Sequence, residues 1–218
     1  MYDILMGAAI GATQTLLGHP LDTIKVRIQT GKPWKNMVWN SYYNGVSYPL
    51  AGSLGYNMIA FPSYDKSVKY TNSPFLSGML SGLFVSPFVY LIDVGKVRRQ
   101  TNASITLRSF YTTKGMISNI IRESTANGVY FGSYAYFKNR LDLKIFIAGG
   151  LAGLCTWTIT YPIDVIRSRQ MALNISFAEA YEMKKFWKGY TPCAVRALLV
   201  NGASFFIYEQ FKEFSEYK

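Results

Sequence analysis

One histidine, two cysteines and few charges set the first limits on this 218-residue chain. With His19 alone, neither a His-based metal site nor a Ser-His-Asp triad can be assembled. Cys155 and Cys193 stand in apolar surroundings with no partner motif, which leaves no disulfide framework and no metal site. No phosphate loop and no nucleophile–base–acid set is present, so an enzyme is the least expected class and no cofactor is implied. Charged residues make up 16% of the chain, against about 25% in soluble domains. A clean run of about 20 apolar residues, the usual mark of a membrane span, is also missing. The N-terminus has no basic stretch ahead of its apolar one and no Arg-rich amphipathic character, so any targeting is expected to be internal.

Against these absences stand a half-hydrophobic composition, 17 tyrosines, 14 phenylalanines and a net charge of +11. Several segments run 15 residues or more with almost no charge, yet carry scattered Gly, Ser, Thr and Asn. Helices that pack closely or line a wet cavity have this mixture. Fourteen of the 23 basic residues fall in three stretches, 25–35, 96–114 and 167–188. A nucleic-acid groove would interleave bases with exposed aromatics on a soluble surface, and none is seen. Clustering at one membrane face, against anionic lipid, fits better.

The three stretches are related. Pro20-Leu21-Asp22-Thr23-Ile24-Lys25-Val26-Arg27 aligns with Leu91-Ile92-Asp93-Val94-Gly95-Lys96-Val97-Arg98, and both with Pro162-Ile163-Asp164-Val165-Ile166-Arg167-Ser168-Arg169. The acids lie 71 residues apart, twice over, and the same step relates Gly7, Gly78 and Gly149, then Gly11, Gly82 and Gly153. Downstream, Gly45, Gly115 and Gly189 are each followed twelve residues later by Asn57, Asn127 or Asn201, and then by Phe61, Phe131 or Phe205 and Tyr64, Tyr134 or Tyr208. Each unit reads as helix, short basic loop, helix. Helices are expected near 3–29, 48–69, 74–101, 117–139, 143–171 and 191–214, in repeats 1–71, 72–142 and 143–218. The glycine pairs, G-x-x-x-G on apolar helices, predict close helix packing. Proline inside an apolar helix kinks it, and a base three residues after an acid lies near the same face. Three such pairs at one depth predict a ring in which the acid of one repeat meets the base of the next.

These residues resemble the mitochondrial carrier signature P-x-[DE]-x-x-[KR]-x-[KR], in all three repeats and over essentially the whole chain. The resemblance implies an all-α membrane protein of six transmembrane helices, arranged as three two-helix repeats with pseudo-threefold symmetry in the mitochondrial inner membrane. It implies a matrix gate of Asp22, Lys25, Asp93, Lys96, Asp164 and Arg167, braced by Gln29 and Gln100. It further implies a chain functional as a monomer, a small-molecule solute, and anionic lipid such as cardiolipin as partners. Departures are visible. Leu91 replaces the second proline, with Pro87 one turn earlier. The repeats are shorter than the roughly 100 residues usual in the family, as in a reduced or viral genome, so the matrix loops must be abbreviated. The cytosolic gate, [FY]-[DE]-x-x-[RK], is complete only around Glu209 and Lys212; the first repeat keeps Asp65 without the base, the second Lys138 without the acid. A weak cytosolic gate favours a state open on that side.

Besides the gate, the even-numbered helices carry Arg122 and Glu123 in the fourth and Arg196 in the sixth. Both arginines stand seven residues after the repeat glycine, where the first repeat has Gly52 and Ser53. Charges at membrane depth are functional candidates by default. Arg122 and Glu123 offer a cation for a carboxylate and an anion for an ammonium, Arg196 a second fork, and Trp157 a face for a cation. Asn57 and Ser53 would complete the polar surface. These stretches look like the carnitine/acylcarnitine and ornithine branch, where an Arg-acid pair on the fourth helix goes with zwitterionic solutes. The expected function is exchange of a basic amino acid or carnitine by alternating access. A nucleotide carrier is the second reading, and a carrier-derived scaffold that no longer transports is the rival of another class.

Overall fold

Hydrophobic stretches interrupted by proline nevertheless form continuous helices. The computed structural model describes residues 2–143, 145–197 and 199–200, apart from the side chains of residues 2–10, 53, 54, 57, 61, 145 and 146. Five long helices dominate: α1 (Tyr2–Gln29), α2 (Ser47–Thr71), α3 (Pro74–Gln100), α5 (Met116–Asn139) and α6 (Ile145–Leu173). Residues 190–197 and 199–200 are also helical. Pro20, Pro62, Pro87 and Pro162 all lie inside helices. Among the described residues only α3, with a mean hydropathy of 1.8 in its most apolar window, is apolar enough to cross a membrane by composition alone. α1, α2 and α5 carry a larger share of polar residues, as helices lining a wet cavity do.

The connections expected as plain loops contain short helices: a 3-10 turn at Trp39–Tyr43, α4 (Leu107–Thr112) and α7 (Phe177–Glu182). Two of them are closed by capping boxes. Thr106 accepts from the Ser109 backbone and Ser109 answers to the Thr106 N–H; Ser176 and Glu179 do the same. The Ser176 N–H donates to Glu179 Oε2 at 2.6 Å, which holds that exposed carboxyl below its ordinary range. The S/T-x-x-S/E spacing was the available signal for these two helices.

Gly45, Gly115 and Gly189 each turn the chain into the following helix with φ of +84°, +120° and +86°, which side chains rarely adopt. Each also lies against the signature helix of the next repeat, α3, α6 and α1 in turn. A Cβ at Gly45 would sit 3.1 Å from the Lys96 carbonyl, one at Gly189 3.2 Å from that of Lys25, and one at Gly115 3.7 Å from that of Arg167. The second base of the signature stitches the same end. Arg27 Nε donates to the Gln100 carbonyl at 2.7 Å and Arg169 Nε to the Gln29 carbonyl at 3.0 Å, satisfying the orphan acceptors where α3 and α1 end. Arg98 departs from this pattern and donates to Ser104 of its own repeat.

α3 packs along α2 on one side and α5 on the other, and α6 follows α5. The second glycine pair serves this packing. At Gly78 and Gly82 the backbone of α5 comes so close that a Cβ would stand 2.4 Å from the Asn127 carbonyl and 2.3 Å from the Glu123 carbonyl. At Gly11 and Gly153 no described atom lies within 4 Å of that position, and at Gly149 only the Tyr130 hydroxyl does. Close packing is thus seen at the second pair; the surroundings of the other two include residues outside the described ones. Gly82→Ala is expected to lower the thermal midpoint in detergent, with a cost of about 1–3 kcal/mol from overpacking against rigid backbone.

Candidate functional site

The proline-bearing halves of α1, α3 and α6 converge, and their six signature charges meet in pairs. Lys96 Nζ donates to Asp22 Oδ2 at 2.6 Å, Lys25 Nζ lies 2.7 Å from Asp164 Oδ2, and Arg167 donates to Asp93. Each acid thus faces a base from a different repeat, and the three pairs close a ring. Asp164 and the bases Lys25 and Arg167 are buried, so the charges hold because each has a partner.

The two glutamines differ. Gln29 Nε2 donates to Asp164 Oδ2 at 3.2 Å and to the Tyr161 hydroxyl at 3.3 Å, so it touches the ring. Gln100 donates instead to Thr23 Oγ1 at 3.1 Å and reaches none of the six charges. Spacing placed both one turn below the pairs; each reaches the signature helix of the preceding repeat, but Gln29 meets a carboxylate there and Gln100 a hydroxyl.

Above the ring lies a cavity of about 300 Å³ whose wall includes all six ring residues together with Arg122, Glu123, Trp157 and Arg196. Five elements that are remote in sequence bring these groups together, and Arg122, Glu123, Trp157 and Arg196 are the four beyond the ring. None of the four stands free. Arg122 contacts Glu123 directly and lies 3.9 Å from Asp164. Glu123 is 1% exposed and sits 3.6 Å from Arg167. Arg196 Nε lies 2.8 Å from Asp22 Oδ1, an ion pair by proximity whose N–H is not aligned as a hydrogen bond. It reaches Asp22 by crossing α1 at Gly18, where a Cβ would be 2.8 Å from Arg196 Nε. The face of Trp157 is covered by the chain's own cations, Lys25 at 4.5 Å and Arg122 at 5.4 Å from the ring centre. Five bases and four acids line the cavity, an excess of one positive charge.

Arg167 is the hub. Besides Asp93 and Glu123 it reaches Asp164 Oδ1 at 3.0 Å and Asn119 Oδ1 at 2.9 Å, while Asn119 Nδ2 donates to the Ser86 carbonyl at 2.8 Å. Asn119 and Tyr161 were missed by sequence reasoning. Tyr161 is buried, donates to the Lys188 carbonyl at 3.2 Å and stacks on Trp187 at 5.9 Å, linking Gln29 to the Trp187-Lys188-Gly189 turn. Its position directly before Pro162 of the signature was the available clue. His19 has a structural part, with Nε2 3.0 Å from the Asn44 carbonyl.

Of the remaining candidates, Ser53 and Asn57 lie on α2, with side chains outside the described ones. Glu209 and Lys212 lie outside the described residues altogether. Asp65 and Lys138 are exposed, no described ion pair involves either, and Lys138 lies over its neighbour Tyr134 at 5.8 Å.

A helical chain with a charged axial cavity is what a membrane carrier requires, and comparison with known proteins gives the class its name. The mitochondrial carrier protein family model matches residues 1–38 and 142–218. The chain belongs to the mitochondrial carrier family, and is a membrane transport protein rather than an enzyme. It is 27% identical to the human Mitochondrial basic amino acids transporter over 263 aligned positions, covering 93% of this chain and 87% of that one. It is 29% identical to the Mitochondrial substrate carrier family protein L of Dictyostelium discoideum, covering 93% and 92%. With the Mitochondrial arginine transporter BAC2 of Arabidopsis thaliana it shares 26%, covering 95% and 89%. The alignments are longer than the chain itself, so they contain gaps.

Proposed function

We propose that this chain exchanges basic or zwitterionic amino acids across the mitochondrial inner membrane by alternating access. The observation that carries the reading is the Arg122–Glu123 pair, adjacent cation and anion in the cavity wall, with Arg196 facing them from the last helix. An α-amino acid needs this pairing: a guanidinium fork for the carboxylate and a carboxylate for the ammonium. The names of the human and Arabidopsis relatives, a basic amino acids transporter and an arginine transporter, support the same solute class.

In this reading the chain is one carrier domain of three repeats, 1–71, 72–142 and 143–218, with six membrane-spanning helices and one solute path per monomer. Asp22, Lys25, Asp93, Lys96, Asp164 and Arg167 form the matrix gate and Gln29 braces it. Asp65, Lys138, Glu209 and Lys212 make a weaker cytosolic gate, and anionic lipid such as cardiolipin holds the loop end. The solute opens the ring by competing for its partners. Its carboxylate draws Arg122 and Arg196 from Asp164 and Asp22, and its ammonium draws Glu123 from Arg167. Binding drives the change only as far as these contacts are stronger in the occluded state than in the open ones.

The test is uptake into liposomes of ornithine, lysine, arginine, carnitine, ATP, dATP and phosphate. Uptake of basic amino acids, stimulated by amino acid trapped inside, is the expected result. Stimulation is the mark of exchange. Uptake of carnitine alone would shift the solute within the branch. An excess of one positive charge is too little for a triphosphate, so uptake of nucleotides alone would overturn the solute assignment and keep the gate. No uptake of any of them would leave a scaffold.

A further inference from the structure

Beyond the charged cavity lies a second of about 380 Å³, walled by Ala60, Ala126, Tyr130, Phe131 and Gly153. It is apolar and aromatic where the first is charged. Among the described residues four line both cavities: Tyr56, Arg122, Glu123 and Trp157. They form the boundary between the two spaces. Arg122 and Glu123 come from α5 and Trp157 from α6, so Tyr56 is the one described group that closes the boundary from α2.

Tyr56 is held there by more than packing. Its hydroxyl donates to Asn127 Oδ1 at 3.0 Å, and Asn127 Nδ2 donates to the Glu123 carbonyl at 3.0 Å. This hydrogen bond joins α2 to α5, which also meet where Tyr64 stacks on Phe131 at 3.9 Å. The ring also borders a small apolar groove with Phe88 and Ile92 on its far side. A phenol with its edge in an apolar groove and its hydroxyl bonded is fixed in orientation.

We propose that Tyr56 is a specificity-determining residue, a divider that limits how far a solute's side chain extends past its head group. The inference rests on the amino-acid reading above. With the head at Arg122 and Glu123, a side chain ending in a charge is directed to the ring carboxylates. A side chain with a bulky uncharged end needs the aromatic space, and Tyr56 stands in its way. Selectivity for short basic side chains over acylated ones then comes from exclusion, which sets ratios more sharply than attraction in an apolar pocket does.

The experiment compares Nε-acetyl-lysine with lysine as solutes for wild type, Tyr56→Phe and Tyr56→Ala. Tyr56→Ala is expected to raise the ratio of acylated to free lysine uptake about tenfold or more, the scale of discrimination a small apolar group supplies. Tyr56→Phe keeps the ring and is expected to hold the ratio within about twofold, as only the hydroxyl is lost. An unchanged ratio in Tyr56→Ala overturns the proposal. A second readout needs no solute: Ser168→Cys on the charged-cavity wall, in a chain with Cys155→Ser and Cys193→Ala, is treated with thiol reagents of increasing bulk. Faster reaction of the bulkiest reagent in Tyr56→Ala supports the divider; equal rates overturn it. If the reagent series behaves as expected while wild type takes up no amino acid, the divider stands and the solute assignment falls.

Discussion

Replacing Arg167 by alanine is expected to abolish exchange and to lower the thermal midpoint together. The guanidinium meets Asp93, Asp164 at 3.0 Å, Asn119 at 2.9 Å and Glu123 at 3.6 Å, and the residue is buried. Removing it leaves three carboxylates sharing fewer cations in a space from which water is largely excluded. Breaking one partner out of a buried pair costs roughly 3–5 kcal/mol, so a fall of at least about 100-fold in exchange is expected. Lysine at this position restores the charge but not the fork. It can serve one carboxylate at a time, so Arg167→Lys is expected to recover stability more fully than transport. Asn119→Ala separates the two contributions. It removes the bond that orients the guanidinium without touching a carboxylate, and only an oriented Arg167 makes its loss felt in exchange. If Arg167→Ala lowered the midpoint while exchange per folded molecule stayed near wild type, Arg167 would be a packing element and no part of a gate.

The reach of the sequence and its limit are both visible at this residue. A 71-residue step through Asp22, Asp93 and Asp164, each followed three residues later by a base, is a statement about register along a helix. It carries the family assignment and the long helices to within a few residues of their observed ends. Spacing along one helix says little about which neighbour its face meets. The two glutamines at equivalent positions therefore go different ways, Gln29 to Asp164 and Gln100 to Thr23. The glycine pairs look alike in the chain, and nothing in the spacing says that the pair Gly78 and Gly82 meets the backbone of α5. Asn119 and Tyr56 have no counterpart in the other repeats, so a search by repeat could not single them out. Arg122 and Glu123 could be found because a charge in an apolar helix is conspicuous. That they are engaged with Asp164 and Arg167 is a fact of three dimensions.

That engagement shapes the other large effect, the loss of amino-acid uptake in Arg122→Ala. Arg122 already has Glu123 in contact and Asp164 at 3.9 Å, so a solute carboxylate must compete for it. Removing the guanidinium takes away the fork for the carboxylate but leaves Glu123 paired through Arg167, so the ring keeps its members. A charged hydrogen bond of this type is worth about 1.5–3 kcal/mol, and a rise in KM of roughly 10–100-fold, with little change in thermal midpoint, is expected. Arg122→Lys keeps the charge and loses the bidentate geometry, and should fall between. Glu123→Gln is the complementary measurement. Its carboxylate is the anion for the solute ammonium, and the loss should fall on solutes with a free α-amino group and spare an N-acylated one. A uniform loss across both kinds of solute would make Glu123 a support for Arg122 and Arg167 rather than a contact for the solute. The two variants therefore differ in which end of the solute they penalise, and that difference, read from a panel of end-modified amino acids, decides how the solute lies in the cavity.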